Sequence, residues 1–510
     1  MNKRIAISHW AAAVLSGLLL AAAFPKWDQN YLLAAALVPL FWALRGQSLK
    51  AAFWLGLVSG LAFYVGLLYW IVYVTYVFGG LPLPLCLGVL LTLAGYLCLY
   101  RAVWALGVNW GAARGLNPLW WGPTLWVALE YGQTYIISGF PWELLGTGLY
   151  RFPIFLQVAD LFGVYGLSFL LVLVNAAVFL ILFPPRGQER RRFHYVTLLL
   201  LIAAAWLGYG VYRLGALEKL AAANPPMKVA VVQGNIKQGE KWKKEMVHAT
   251  LDRYGELTSR VKGARLIIWP ETAAPFFFIR TPDLTARVQE IARAGGGYLL
   301  FGAHAYELTH QGESFYNRAY LLSPEGTVAG SYDKAHLVPF GEYVPLKRLF
   351  SFIGIGKMVS MVGDFSEGKV GGVVTMPEGE VGPLICFESI FPDLSRAQVQ
   401  NGARLLVNLT NDAWYGTTSA PYQSLAMAVL RAVENHVCMA RAANTGISAF
   451  IGPDGRILWQ SDLFVPTAQT LDLPWLTGGS LYTRIGDVFA WGCVIVMGLG
   501  FILARRHPQL

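Results

Sequence analysis

The sequence predicts a membrane α-helical bundle of about eight transmembrane helices, with an α/β domain inserted before the last helix. Three observations predict this fold class. Over half of the 510 residues are hydrophobic and only 14% are charged, whereas soluble domains are about 25% charged. Long apolar runs recur through the first 213 residues and once more near the C-terminus. Between them, short strand-like runs alternate with helical patterns, which is typical of an α/β domain.

Eight apolar runs approach the length of about 20 helical residues that crosses a hydrocarbon core. They lie at 6–24, 31–45, 52–78, 82–100, 118–137, 155–183, 195–213 and 483–504. Lys3 and Arg4 precede the first run as in a signal peptide, but because six more runs follow closely, we interpret it as an uncleaved helix. The predicted domains are therefore 1–213 with seven helices, 214–481 as the inserted domain, and 482–510 with the eighth helix and a tail.

Basic residues predict which side of the membrane each loop faces. With the N-terminus in the cytoplasm, the cytoplasmic segments hold twelve basic residues: Lys3, Arg4, Arg45, Lys50, Arg101, Arg114, Arg186, Arg190, Arg191, Arg192, Arg505 and Arg506. The short outer loops hold Lys26 and Arg151. By the positive-inside rule, both termini are expected in the cytoplasm and the inserted domain on the outer side of the membrane. The net charge of +10 is spread over these loops instead of forming one patch, so nucleic-acid binding is not expected.

Three reactive side chains each follow an apolar run of the inserted domain. Glu271 ends LIIWPE, Lys334 follows SYD, and Cys386 ends GPLIC. Strand ends are places where a rigid scaffold aims catalytic groups. A thiol reacts as its thiolate, a carboxylate can take the thiol proton as general base, and an ammonium can stabilise the thiolate and an oxyanion. The pattern therefore indicates nucleophilic catalysis by cysteine without a catalytic histidine.

Each of these residues, taken singly, also has an ordinary structural explanation. A cysteine after an apolar strand is usually buried, a glutamate after Trp-Pro is often a turn residue, and a lysine beside an aspartate is often a surface ion pair. His336 is the strongest alternative to Glu271 as the base. His304, His310 and His336 show no metal-ligand spacing, so neither a metal nor another cofactor is expected.

The order of these residues and their flanking motifs resembles a known superfamily. The motifs VVQGNIKQGEKW, WPETAAP, DKAHLVPFGEYVPL, CFESIFP and NLTNDAWYG are similar to the nitrilase superfamily of carbon–nitrogen hydrolases over roughly 227–475. The position of this domain before a last membrane helix resembles the apolipoprotein N-acyltransferase family in particular. The resemblance implies an α-β-β-α sandwich and a Glu-Lys-Cys triad formed by Glu271, Lys334 and Cys386.

The same resemblance implies roles for further residues. Glu342 is expected to support the lysine, and the backbone N–H of Phe387 is expected to donate to an oxyanion. Trp242, Glu388 and Trp414 are expected to line the substrate site.

The resemblance also implies a two-step acyl transfer. Cys386 is expected to take a fatty acyl chain from a membrane phospholipid, in particular phosphatidylethanolamine. The α-amine of the diacylglyceryl-cysteine of an apolipoprotein is then expected to take the chain from the thioester. Two alternatives stay open: a membrane-tethered carbon–nitrogen hydrolase or amidase that passes the acyl group to water, and a transporter with a large outer domain.

Two apolar segments near the triad are candidates for contact with the bilayer. One is Phe276, Phe277 and Phe278 in APFFFIR, and the other is a predicted lid at 346–363. Within the membrane part, Glu130 and Asp160 are candidates for contacts with lipid headgroups or between helices, because ionisable groups in spans are costly and tend to be functional.

Overall fold

The chain forms two compact units. The structure, a computed structural model, describes residues 5–185, 187, 189–309, 312–343 and 365–506, so the predicted lid at 346–363 lies outside the described residues. The first unit consists of Met1–Gly215, Thr417–Leu430 and Ile485–Leu510, and the second of Ala216–Gly416 and Arg431–Arg484. The sequence assigns 417–430 to the inserted domain, whereas in the structure these residues pack with the first unit.

The first unit is built from apolar helices. In the part of the chain before the sheets, the helices are Ile7–Ala23, Val38–Leu44, Leu49–Leu68, Trp70–Val77, Leu83–Ala112, Pro118–Tyr135, Pro153–Leu156, Ala159–Leu182 and Arg191–Ala223, with 3-10 segments at Asn30–Ala34, Ile136–Ser138 and Leu145–Leu149. Leu481–Ile485 and Val488–Arg506 follow the sheets. Among the residues that the structure describes, four helices are long and apolar enough to cross a membrane: Leu49–Leu68, Leu83–Ala112, Ala159–Leu182 and Arg191–Ala223. Shorter apolar helices lie at Ile7–Ala23, Asn30–Leu44 and Val488–Leu503. These helices indicate a multi-pass membrane protein.

Two glycines bring Leu49–Leu68 and Leu83–Ala112 close together. A Cβ atom on Gly56 would lie 2.5 Å from the Cβ of Ala105, and one on Gly60 would lie 2.7 Å from the Cβ of Cys98. Lipid chains are as apolar as the helices, so close van der Waals contact between small residues is a main source of helix association in membranes. The Gly-x-x-x-Gly spacing therefore fixes this helix pair.

The segment Thr417–Leu430 is held in the first unit by the side chain of Gln423. Its Oε1 accepts hydrogen bonds from Trp70 Nε1 at 3.1 Å and from Trp142 Nε1 at 2.8 Å. Its Nε2 donates to the backbone oxygens of Pro25 and Leu67, each at 3.0 Å. Because Gln423 is fully buried, these four bonds satisfy an amide that would otherwise be costly to bury.

Four charged residues make contacts inside the helical unit. The predicted span 82–100 places Arg101 in a cytoplasmic loop, but the helix continues to Ala112. Arg101 is buried, with its guanidinium carbon 3.6 Å from the centre of the Trp126 ring. Glu130 accepts from Trp126 Nε1 in its own helix and from the backbone N–H of Leu145, both at 2.8 Å, so it ties its helix to the 3-10 segment Leu145–Leu149. Asp160 pairs with Arg213 at 2.6 Å and so joins the helix Ala159–Leu182 to the helix Arg191–Ala223.

The second unit contains two β-sheets. Its strands are β1 Pro226–Gln233, β2 Leu266–Ile268, β3 Ala274–Phe277, β4 Tyr298–Thr309, β5 Gly312–Leu322, β6 Val328–Asp333, β7 Val374–Met376, β8 Gly379–Ile385, β9 Ala403–Thr410, β10 Cys438–Ala443, β11 Ala449–Ile451, β12 Ile457–Gln460 and β13 Thr467–Pro474. The first sheet has the order β13-β1-β2-β4-β5-β6, with β3 also beside β4, and the second has the order β12-β11-β10-β9-β8-β7. The central strands of each sheet, β1, β2 and β4 in one and β8, β9 and β10 in the other, are parallel.

The strands are buried on both faces, as their continuous apolar runs predict. Along β1, Val229 and Val231 face the core between the two sheets, while Ala230 and Val232 face the helices on the outer side. The helices of this unit are Gln238–Lys241, Lys244–Ser259, Pro282–Gly295 and Pro392–Gln400, with 3-10 turns at Phe278–Arg280, Cys386–Ile390 and Asp412–Tyr415. The helix Ala420–Asn435 belongs to this unit only from Arg431 onward. Lys244–Ser259 and Pro282–Gly295 cover the first sheet, and Pro392–Gln400 covers β8 and β9 of the second. These layers form the α-β-β-α sandwich that the resemblance implies.

One predicted helix is shorter than expected. The sequence predicts a helix over Ser424–Ala443, but the helix ends at Asn435 and residues 438–443 form β10. His436 has a left-handed backbone with a φ of 53°, which ends the helix. Cys438 therefore packs in the core between the sheets instead of on a helix.

Candidate active site

Cys386 begins a 3-10 turn directly after β8. Its backbone is left-handed, with a φ of 54°, a conformation that is uncommon for a residue other than glycine and is often found at active sites. Burial and the Glu271 carboxylate raise the pKa of the Cys386 thiol to about 12, although Lys334 and a hydrogen bond with Thr410 act in the opposite direction. The thiol is therefore protonated at neutral pH, and a base must remove its proton before it can attack.

Lys334 lies between two carboxylates. Its Nζ is 3.8 Å from Glu271 Oε1 and 2.8 Å from Glu342 Oε2. The lysine is 1% exposed and Glu271 is 8% exposed. Burial acts to lower the pKa of Lys334, but Glu342, Glu271 and Cys386 outweigh it and hold that pKa well above its ordinary value. The side chain therefore stays charged at neutral pH, in electrostatic contact with both the base and the nucleophile of the predicted triad.

Asn317 on β5 bridges the two carboxylates, although the sequence does not single it out. Its Nδ2 donates to Glu271 Oε1 at 2.8 Å and to Glu342 Oε1 at 2.9 Å. The backbone N–H of Val338 donates to Glu342 Oε2 at 2.8 Å. Burial acts to raise the pKa of Glu342, but Lys334 and these hydrogen bonds lower it overall. The only signal in the sequence is that Asn317 is a polar residue just before an apolar run in its strand.

Glu388 has a different place from the one that the sequence predicts. It is fully buried, and its Oε1 accepts hydrogen bonds from the Tyr332 hydroxyl at 2.8 Å, from Ala335 N at 2.6 Å and from His336 N at 3.0 Å. Its Oε2 accepts from Ile385 N at 2.7 Å. Burial raises the pKa of Glu388 to about 7. The carboxylate therefore ties the segment that carries the lysine to the strand that carries the nucleophile, and it does not line a substrate surface.

The aromatic residues predicted at the site differ in exposure. Trp242 is 47% exposed and stacks on His304 at 4.9 Å between ring centres, and Trp414 is 40% exposed. Phe387 is 8% exposed and packs edge-on against Phe391 at 5.3 Å. The two tryptophans therefore offer aromatic surface to a substrate, whereas Phe387 offers mainly its backbone.

The ring of His336 packs 3.9 Å from the ring of Phe391, and Glu271 is the nearby charge with the largest effect on the pKa of the Cys386 thiol. The choice of Glu271 over His336 as the base stays a prediction. One other expectation differs from the geometry. Phe278 is fully buried under the first sheet, so it cannot contact a bilayer as the segment 276–278 is predicted to do. Within the described ranges, no three His, Cys, Asp or Glu side chains come together as metal ligands.

The two sheets, with Glu271, Lys334 and Cys386 brought together after their strands, define a carbon–nitrogen hydrolase domain. The family model described as carbon-nitrogen hydrolase matches residues 228–474, and the model described as apolipoprotein N-acyltransferase N-terminal domain matches residues 16–177. The chain is 44% identical over 506 residues to an apolipoprotein N-acyltransferase of Geobacter metallireducens, covering 98% of this chain and 96% of the relative. The chain therefore belongs to the apolipoprotein N-acyltransferase family.

Further similarities extend over much of the chain. A protein of the same name from Allorhizobium ampelinum is 34% identical over 480 residues, covering 88% of each chain. Another from Methylococcus capsulatus is 33% identical over 514 residues, covering 98% of this chain and 96% of the relative. Among solved structures, an amidase from Nesterenkonia sp. is 21% identical, covers 52% of this chain and 96% of its own, and has a TM-score of 0.39.

Proposed function

We propose that this protein transfers a fatty acyl chain from a membrane phospholipid to the N-terminal α-amine of the diacylglyceryl-cysteine of an apolipoprotein. The name of its relatives supports both the acyl transfer and the acceptor. The mechanism is supported mainly by the cluster around Lys334. The Nζ of this lysine lies 3.8 Å from Glu271 and 2.8 Å from Glu342, and the lysine interacts electrostatically with Cys386. Phosphatidylethanolamine is the proposed donor.

In the first half-reaction, the Cys386 sulfur attacks the ester carbonyl of the phospholipid while Glu271 takes the thiol proton. A thiol with a pKa of about 12 needs such a base at neutral pH. The ammonium of Lys334 and the backbone N–H of Phe387 stabilise the oxyanion of the tetrahedral intermediate. When the intermediate collapses, the carbon–oxygen bond breaks, Glu271 returns the proton to the departing oxygen, and a lysophospholipid leaves the thioester.

In the second half-reaction, the α-amine of the lipid-modified cysteine attacks the thioester carbonyl. Glu271 takes a proton from the amine, the carbon–sulfur bond breaks, and the sulfur of Cys386 is protonated again. The products are an amide on the apolipoprotein and the free enzyme. This order of events predicts ping-pong kinetics, because the first product leaves before the second substrate reacts.

We also propose eight transmembrane helices in a bacterial inner membrane, with both termini in the cytoplasm and the hydrolase-like domain in the periplasm. The four long apolar helices, the three shorter ones and Pro118–Tyr135 support this number. Moving Arg101 from a loop into a helix leaves eleven cytoplasmic basic residues against two outside, so the charge bias remains. A cysteine replacing exposed Lys262 should react with a membrane-impermeant maleimide in spheroplasts, and one replacing exposed Ala113 should react only after lysis. The reverse pattern contradicts this orientation.

Product analysis tests the proposed reaction. The purified protein is incubated with phosphatidylethanolamine and a synthetic peptide that begins with diacylglyceryl-cysteine, and the products are separated and weighed by mass spectrometry. The proposal predicts a peptide acylated on its α-amine and an equal amount of lysophospholipid, both absent with Cys386→Ala. Free fatty acid as the only acyl product would identify a hydrolase and overturn the transferase.

A further inference from the structure

A second buried lysine lies beside the proposed base. Lys241 ends the short helix Gln238–Lys241 and is 1% exposed. Its Nζ donates to the backbone oxygen of Glu271 at 3.2 Å and to Thr272 Oγ1 at 2.5 Å. Among the residues that the structure describes, Lys241 forms no ion pair. An ammonium buried without a carboxylate partner is costly, so its presence here calls for a role other than stability.

The two hydrogen bonds of Lys241 hold a strained turn. Thr272 has a φ of 47°, which is unfavourable for a β-branched residue. On its other side the turn is pressed against β4, because a Cβ atom on Gly302 would lie 2.5 Å from Thr272 N and 2.7 Å from Glu271 Cα. Strained turns persist only where the surroundings hold them in place. Lys241 and β4 together therefore determine where the backbone of Glu271 lies.

Lys241 also connects the base to the exposed aromatic surface of the site. The next residue along the chain is Trp242, which stacks on His304 of β4 at 4.9 Å between ring centres. Glu271 acts electrostatically on Lys241, and both Lys241 and Glu342 act on His304. Burial lowers the pKa of Lys241 to about 8, against the effect of Glu271, and burial together with Lys241 lowers the pKa of His304 to about 4. At pH 7 the lysine is therefore charged and the histidine is neutral.

We propose that Lys241 is a positioning residue for the acyl transfer: through its two hydrogen bonds, it holds the Glu271–Thr272 turn so that the Glu271 carboxylate meets the Cys386 thiol. The charged form of Lys241 does this better than the neutral form, which has one donor fewer and no charge to attract the acceptors. This inference rests on the proposed function, because it takes Glu271 as the base.

Three variants separate this role from a purely structural one. Lys241→Met keeps most of the side-chain volume but removes the charge and both hydrogen bonds. Lys241→Arg keeps a charge that does not titrate below about pH 12. Lys243→Met, at an exposed lysine two residues further on, is the matched control. For each protein, the rate of acyl-adduct formation on Cys386 with phosphatidylethanolamine in detergent micelles is followed by mass spectrometry from pH 6 to pH 10, and thermal unfolding is recorded beside it.

The expected result is a loss of rate with little change in apparent substrate affinity. Lys241→Met should slow adduct formation by about 10-fold to 100-fold, since small misplacements of a catalytic group have effects of this size. Lys243→Met should match the wild type. The wild-type rate should fall above about pH 8 as Lys241 loses its proton, and Lys241→Arg should lack this decrease.

Two outcomes would overturn the role of Lys241 while leaving the proposed function intact. One is a folded Lys241→Met protein that forms the adduct at the wild-type rate. The other, which decides the matter even if Lys241→Met does not fold, is the same loss of rate above pH 8 in both the wild type and Lys241→Arg. A wild-type protein that forms no adduct at any pH instead overturns the proposed function, and with it the inference that depends on it.

Discussion

Replacing Glu388 with glutamine should loosen the connection between the nucleophile and the lysine segment without removing any side-chain volume. In the wild type, Oε1 accepts three hydrogen bonds and Oε2 accepts one, from the backbone of Ile385. An amide offers one oxygen and one NH₂ group. Whichever way the amide is turned, its NH₂ group faces at least one donor, so at least one buried hydrogen bond is lost.

The better orientation keeps the oxygen at the three donors and places the NH₂ group against the N–H of Ile385. A buried donor left without a partner costs about 1–3 kcal/mol. We take about 2 kcal/mol for the single bond, because Glu388 is fully buried and no water can replace the lost acceptor. If this amount is lost from the free energy of local opening, the Ile385 amide should exchange with solvent about 30-fold faster, since about 1.4 kcal/mol corresponds to a factor of ten.

Hydrogen–deuterium exchange with mass spectrometry measures this change directly. The peptide that contains Ile385 is compared between the wild type and Glu388→Gln in the same detergent at pH 8.5, where the Glu388 carboxyl, with a pKa of about 7, is ionised. Glu380→Gln is the matched control, because Glu380 lies on the same strand and, among the described residues, its carboxylate accepts only from the Thr375 hydroxyl, at 3.0 and 3.1 Å. Equal exchange of this peptide in the wild type and in Glu388→Gln would refute the assigned role of the carboxylate.

Three further predictions follow from other contacts. Asn317→Leu should slow acyl-adduct formation by about 10²-fold in a single-turnover assay, because two carboxylates lose their shared donor and the base loses its position; a wild-type rate would contradict this. The pKa of Lys241 is about 8 in the folded protein, below its ordinary 10.5, because burial penalises the charged form. The free energy of unfolding should therefore rise by about 3 kcal/mol as the pH increases from about 8 to 10.5. Thermal unfolding of the wild type between pH 7 and pH 10 should show this gain relative to Lys241→Met, and parallel curves for the two proteins would contradict it. Gln423→Leu removes four buried hydrogen bonds and should destabilise the helical unit by about 2–4 kcal/mol. Its unfolding midpoint should be lower than that of Gln469→Leu, a control at a partly exposed glutamine; equal midpoints would contradict this prediction.

Local sequence patterns were sufficient to predict the buried strands that precede Glu271 and Cys386. The apolar runs before Glu271 and Cys386 form strands that are buried on both faces, as continuous apolar runs of this length predict. The reactive side chains come directly after these runs, so the end of the strand fixes their place. The helix predicted over Ser424–Ala443 shows the limit of this reasoning, because the same small and apolar residues suit either a buried helix or a buried strand.

The supporting residues could not be predicted because their partners are distant in the sequence. Asn317 reaches Glu271 across 46 positions, and Lys241 reaches the same turn across 30. Such contacts depend on strand order and register, which no local pattern specifies. Glu388 is the opposite case: a carboxylate two residues after the nucleophile looks like part of the site, and only its four donors show that it is structural.

The thioester mechanism is tested most directly by the covalent state of the Cys386 sulfur after exposure to phospholipid. The purified protein is incubated with phosphatidylethanolamine without an acceptor and digested, and the peptide that carries Cys386 is weighed. The mechanism predicts one added acyl chain on this peptide, none in Cys386→Ala, and formation slowed by about 10²-fold or more in Glu271→Gln. An unmodified Cys386 in the wild type, or an acyl chain that persists on the Cys386→Ala protein, would contradict it.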